Sequence, residues 1–106
     1  MARVVAVAPD LMFSSRIEAT LGAAGHQVEL APSLSEAGLQ DAELLVADLD
    51  RIEPESVVGL GIPVLGFYSH TDTELRERAK AAGVDTVVPR SRMVREMPQL
   101  VSGLLV

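Results

Sequence analysis

Leu44-Leu45-Val46-Ala47-Asp48 is apolar for four residues and then ends in a carboxylate. A short run with no polar residue on either side reads as a strand buried on both faces, as central strands of parallel sheets are. The β-branched run Val4-Val5-Ala6-Val7, ending in Ala8-Pro9-Asp10, reads the same way.

Helical and extended patterns alternate outward from these two runs. From Leu11 to Ala24, Phe13, Ile17, Leu21 and Ala24 share one face at spacings of four and three. Asp10 is placed to cap this helix, and Gly25 to end it at C′. His26 to Leu30 alternates and predicts a second strand. Ser33 or Ser35 can cap a short helix ending near Gln40. The polar stretch from Asp50 to Gly61 has room for only about two or three helical turns. Pro63 to Tyr68 predicts a fourth strand. Thr71-Asp72-Thr73-Glu74 has the form of a capping box, opening a charged helix that Gly83 closes. Asp85 to Val88 predicts a fifth strand, and Pro98 suits the first turn of a last helix running to Leu105.

Five strands alternating with helices predict an α/β domain, a doubly wound five-stranded parallel sheet with helices on both faces. No repeat or linker divides the chain, so residues 1–106 are expected to form a single domain. Ligand crevices in such sheets lie beyond the carboxyl ends of the strands, at the topological switch point. That places Pro9, Asp10, Asp48 to Asp50, Ser69 to Thr71 and Pro89 to Arg92 together.

Composition narrows the function classes. Of the 106 residues, 48% are hydrophobic, too many for a disordered chain. There is no Cys, which removes disulfides, thiolate catalysis and Cys-ligated metals. No apolar run approaches the ~20 residues of a spanning helix, and the N-terminus lacks a signal-peptide pattern. A soluble cytoplasmic domain with no membrane contact is expected. The net charge of −6 argues against nucleic-acid binding, which runs on Lys and Arg neutralising phosphates. Nucleotide-binding and hydrolase motifs are absent, so no enzyme activity and no cofactor are expected.

The strand ends carry a resemblance. From Val4 to Val28 the order of strand, helix and strand resembles the receiver domains of two-component response regulators, the CheY-like, flavodoxin-like fold. Glu43-Leu44-Leu45-Val46-Ala47-Asp48 looks like the strand that ends in the phospho-acceptor, which puts Asp48 in that place. Pro63-Val64-Leu65 resembles the start of the fourth strand, and Ala82-Gly83-Val84-Asp85 the turn before the fifth. Counting on from Gly83, Arg90 stands where the family has Lys.

The departures fall on the chemistry. The family's metal-binding acid pair aligns with Ala8 and Pro9, its switch hydroxyl with Tyr68, its switch aromatic with Val87, and the residue after its Lys with Ser91 rather than Pro. The third helix is shortened. Mg²⁺ wants octahedral oxygen ligands, and phosphoryl transfer to a carboxylate depends on positioning and charge neutralisation. The resemblance therefore implies a degenerate pseudo-receiver: a noncatalytic module for signalling or protein interaction, with Asp48 a relic of the phospho-acceptor and no bound metal.

Two alternatives stay open. One is a sensor of a small anion, with Asp10, Ser15, Arg16, Ser69, His70, Arg90 and Ser91 as candidate ligand-binding residues; helix N-termini and Arg forks suit anions. The other is a working phospho-acceptor in which Asp10 replaces the missing pair. Under the first reading a protein partner or a homodimer is expected. Tyr68, Met93, Val94, Met97 and Val101 are then the candidate interface: the last four read as exposed or half-exposed apolar side chains, while the Tyr68 ring either points outward as an anchor or fills the space a phosphate would occupy.

Overall fold

The computed structural model describes residues 2–69 and 73–105. Its elements run β1 Arg3–Val7, α1 Leu11–Ala23, β2 Gln27–Ala31, a 3₁₀ turn Leu34–Glu36, β3 Leu44–Asp48, a 3₁₀ turn Pro54–Ser56, β4 Val64–Tyr68, α2 Thr73–Ala82, β5 Thr86–Pro89 and α3 Arg90–Leu104. The five strands form one sheet in the order β2-β1-β3-β4-β5, every pair parallel. This is the flavodoxin-like, CheY-like architecture. The chain reverses its direction of travel across the sheet between β1 and β3, so the switch-point crevice lies where Ala8 and Asp48 leave the sheet.

Alternation along the strands builds two cores. Val4, Ala6, Leu44, Val46, Leu65, Phe67 and Val88 face α1 and α3, meeting Phe13, Ile17, Leu21, Met93, Met97 and Val101. Val5, Val7, Leu45, Ala47 and Val64 face the opposite layer, where α2 supplies Ala79, the first 3₁₀ turn half-buried Leu34, and the segment between β3 and β4 Leu49, Val57 and half-buried Ile52. Gly66 lies on this second face because a Cβ there would stand 2.6 Å from Leu49 Cδ1. Among the described residues no helix is long and apolar enough to cross a membrane.

The caps of α1 follow the sequence. Asp10 Oδ1 accepts from the N–H groups of Met12 at 3.0 Å and Phe13 at 3.2 Å. Gly25 takes φ +94°, and the His26 N–H donates to Leu21 O at 3.0 Å, closing the last turn as a Schellman motif does. Gly83 does the same for α2 at φ +100°. Thr71 and Asp72, the start of the predicted capping box, lie outside the described residues.

One expectation about the elements needs correction. Between β2 and β3 the chain forms one 3₁₀ turn, not a helix reaching Gln40. Arg3 holds this segment extended, donating to the carbonyls of Gly38 and Gln40 while pairing with Glu29 at 2.7 Å. The stretch from Asp50 to Gly61 holds only a stub in place of a third helix, as expected: Pro54–Ser56 coils with Pro54 opening the turn, where its missing N–H costs nothing, and Gly59 and Gly61 at φ +75° and +80° keep the coil from going on. The last helix starts at Arg90, directly off β5, and kinks at Glu96 (φ −124°), two residues before Pro98. Pro98 thus stands in the first turn of the helical stretch that follows Glu96, as expected, where a missing N–H costs no hydrogen bond.

The exposure expected at the interface candidates is also overturned. Met93, Met97 and Val101 are fully buried, and of the two positions open to Tyr68 the inward one holds, at 6% exposed. The i, i+4, i+8 stripe of α3 is its core-facing side, and Tyr68 ends a strand buried along its whole length. Of the five, Val94 alone is exposed, at 36%.

Candidate functional site

At the carboxyl ends of β1, β3 and β4, a cleft of about 430 Å³ is lined by Asp10, Asp48, Asp50, Arg51, Ser69 and Arg90. Each side chain arrives by a local rule. Asp10 is delivered by its capping position. Asp48 and Asp50 flank Leu49, whose apolar side chain is buried. Arg90 is the first residue of α3 and reaches back over the sheet ends.

The acids are held differently. Asp48 is 2% exposed. Its Oδ1 accepts the Asp50 N–H at 3.0 Å, and its Oδ2 lies 3.6 Å from Arg90 Nη2, an ion pair longer than a hydrogen bond. Burial pushes the Asp48 carboxyl above its ordinary value, against the lowering effect of the Asp50 N–H and of Arg90. Asp10 moves the other way. The Phe13 N–H, and then Arg90 Nη1 at 3.2 Å, hold it below the ordinary carboxylate value. Asp50 Oδ2 accepts the Ser69 N–H at 2.8 Å and also its hydroxyl, so the Ser69 Oγ is already engaged.

Arg90 joins these groups. Its guanidinium carbon stands 4.4 Å from the Phe13 ring centroid and 5.5 Å from that of Phe67. Those two rings are themselves 4.8 Å apart at 44°. Cation–π attraction of this kind contributes about 0.5–2 kcal/mol. The Arg90 Nε–H is buried without an acceptor, a loss of about 1–3 kcal/mol, so stacking and charge rather than a full set of hydrogen bonds fix the side chain. At an effective dielectric of about 20, charges 3.6 Å apart attract by about 4–5 kcal/mol. Desolvating two ions costs several kcal/mol in return. The pair thus does more for the position of Arg90 than for stability.

The candidate residues divide. Asp10, Asp48, Ser69 and Arg90 meet in the cleft. Ser15, Arg16 and Ser91 are exposed and are not among the residues lining it. His70 lies outside the described residues. Asp50 lines the cleft beside Asp48, as the strand-end reading has it, whereas Arg51, Phe13 and Phe67 were not among the predicted site residues. Nothing local in the sequence marks the two Phe residues as a floor for Arg90.

A divalent ion, which the receiver resemblance implies, does not fit these residues. Ala8 is buried and offers no ligand atom, and neither does Pro9. Both Asp10 oxygens are engaged, and a cation already stands between Asp10 and Asp48. Among the described residues no three His, Asp or Glu side chains are grouped to hold a metal. A bound anion is also poorly served, since three aspartates line the cleft against two arginines.

No protein-family model matches the sequence, and no curated protein matches it either. Solved structures do. The chain is similar to the chemotaxis protein CheY4 of Vibrio cholerae (TM-score 0.85, 21% identity, 99% of each chain). It is also similar to a response regulator from Thermotoga maritima (TM-score 0.83, 14% identity, 99% of this chain and 98% of that one). A third is HP1043, an orphan response regulator of H. pylori (TM-score 0.84, 18% identity, 99% and 97%). At these identities the likeness establishes the fold, and function has to be argued from the site.

Proposed function

We propose that this chain is a noncatalytic receiver-like signalling domain that works by protein interaction rather than by Mg²⁺-dependent phosphorylation of Asp48. One observation carries the reading. The carboxylate in the phospho-acceptor place is buried, carries a raised pKa and faces an arginine that also pairs with Asp10. A carboxylate nucleophile has to be ionised, accessible and accompanied by a metal that neutralises the incoming phosphoryl group. Asp48 is sequestered, and the acid pair is Ala8 and Pro9. The acidic lining of the cleft weighs against the anion-sensor reading.

The domain is proposed to be cytoplasmic and to lack enzyme activity. Its partner, another protein or a second copy of the chain, meets apolar residues that are outside in the fold. Leu11 (79% exposed) and Met12 (87% exposed) on the first turn of α1 stand out more than Val94 does. Met93, Met97 and Val101 are proposed as core residues.

Acetyl phosphate and beryllofluoride, each with Mg²⁺, test the reading on wild type and Asp48→Asn. Intact-mass spectra without an Asp48-dependent adduct, and amide spectra unchanged by beryllofluoride, are expected. An adduct that Asp48→Asn abolishes would restore the phospho-acceptor reading.

A further inference from the structure

Three elements converge on Arg90. α1 brings Asp10, with Oδ2 3.2 Å from Nη1, and the Phe13 ring 4.4 Å from the guanidinium carbon. β3 brings Asp48, with Oδ2 3.6 Å from Nη2, and β4 brings the Phe67 ring. The guanidinium therefore meets two carboxylates and an aromatic floor. A planar, delocalised and weakly hydrated cation suits such a place. A small divalent ion, which keeps several waters and wants oxygen ligands, cannot reach both carboxylates while the guanidinium stands between them.

We infer that Arg90 is the resident cation of this cleft. Tethered to the chain, it occupies the position between Asp10 and Asp48 that a dissociable divalent ion would otherwise have to neutralise. The junction of β5 and α3 is thereby held against α1 and β3 in one arrangement, whatever the metal concentration. In regulatory terms the fold has replaced a soluble input with a covalently attached one. The inference deepens the noncatalytic reading and rests on the same loss of the acid pair.

Thermal unfolding of the full chain in MgCl₂, and in KCl at matched ionic strength, tests it with wild type, Arg90→Ala and Arg90→Lys. Wild type is expected to melt at the same temperature in both salts. Arg90→Ala is expected to melt lower in KCl and to gain a saturable, Mg²⁺-specific rise of about 5 °C, as mass action gives for a ligand at a few times its dissociation constant. Asp10 and Asp48 are then left without their shared counter-ion. Arg90→Lys keeps the charge and should show no Mg²⁺-specific rise. Two results overturn the inference: a Mg²⁺-specific rise in wild type as large as that of Arg90→Ala, or no such rise in Arg90→Ala. If Arg90→Ala unfolds in KCl, recovery of cooperative melting in MgCl₂ supports the inference and failure to recover overturns it. The two readings fail separately. An Asp48 phosphoryl adduct removes the noncatalytic reading, whereas a Mg²⁺-responsive wild type without an adduct removes only the resident-cation inference.

Discussion

Arg90 Nη2 stands 3.6 Å from Asp48 Oδ2, and the same guanidinium reaches Asp10 Oδ2 at 3.2 Å from Nη1. One cation is therefore shared between a carboxylate that is buried and one that is half in solvent. Their titrations have opposite signs, and this gives the first two predictions.

Asp48 has a folded-state pKa raised chiefly by burial. Its contribution to stability is full below the ordinary carboxylate value and is lost as pH rises through the folded value. Asp48→Asn keeps an acceptor for the Asp50 N–H and removes the charge. At neutral pH the variant should be as stable as wild type or more stable, by up to ~2 kcal/mol, and the difference should shrink as pH falls below the carboxylate range. Urea unfolding across that range checks it. A variant clearly weaker than wild type at neutral pH would mean that the ion pair outweighs desolvation.

Asp10 has a folded-state pKa lowered first by the Phe13 N–H and then by Arg90. Its stabilisation is present above the ordinary value and disappears as pH falls through the folded one. Asp10→Ala should lower the melting temperature at neutral pH and converge on wild type in acid. Asp10→Asn keeps a cap acceptor and should fall between the two.

Met97 and Met12 make a matched pair at opposite extremes of burial, 0% and 87% exposed. Met97→Ala should cost about 2–5 kcal/mol, while Met12→Ala should stay within about 0.5 kcal/mol. Chemical denaturation of both variants tests the placement of the α3 stripe. A small effect at Met97 would return that stripe to the surface.

Gly66 lies against Leu49, itself buried. Gly66→Ala should cost about 1–3 kcal/mol through overpacking. Leu49→Ala removes the obstructing atoms, so the double variant should be more stable than the sum of the single losses allows. Strict additivity would show that the two side chains do not compete for the space.

Much of this fold could be read before any coordinates. Val4 to Val7, Leu44 to Ala47 and Val64 to Tyr68 are strands as expected, because unbroken apolar runs of that length have few other uses. Asp10, Gly25 and Gly83 act as caps and stops because capping depends on residues adjacent in sequence. The stub between Asp50 and Gly61 follows from its length. The segment after β2, expected to be a short helix, forms a single 3₁₀ turn because Arg3 draws its carbonyls away. That is a long-range contact that no local pattern encodes.

What the sequence determined by itself was the set of strands, their alternation with helices, and the absence of acids at residues 8 and 9. Each of these is a property of neighbouring residues, through periodicity, capping or side-chain chemistry. Only the tertiary structure decided that the Met93-Met97-Val101 stripe faces inward, since a helical period marks a stripe without saying what covers it. It alone brought Arg90 onto Phe13 and Phe67 between Asp10 and Asp48. Those residues come from four separate elements, and parallel pairing, which sets every strand's carboxyl end on one edge of the sheet, makes them neighbours.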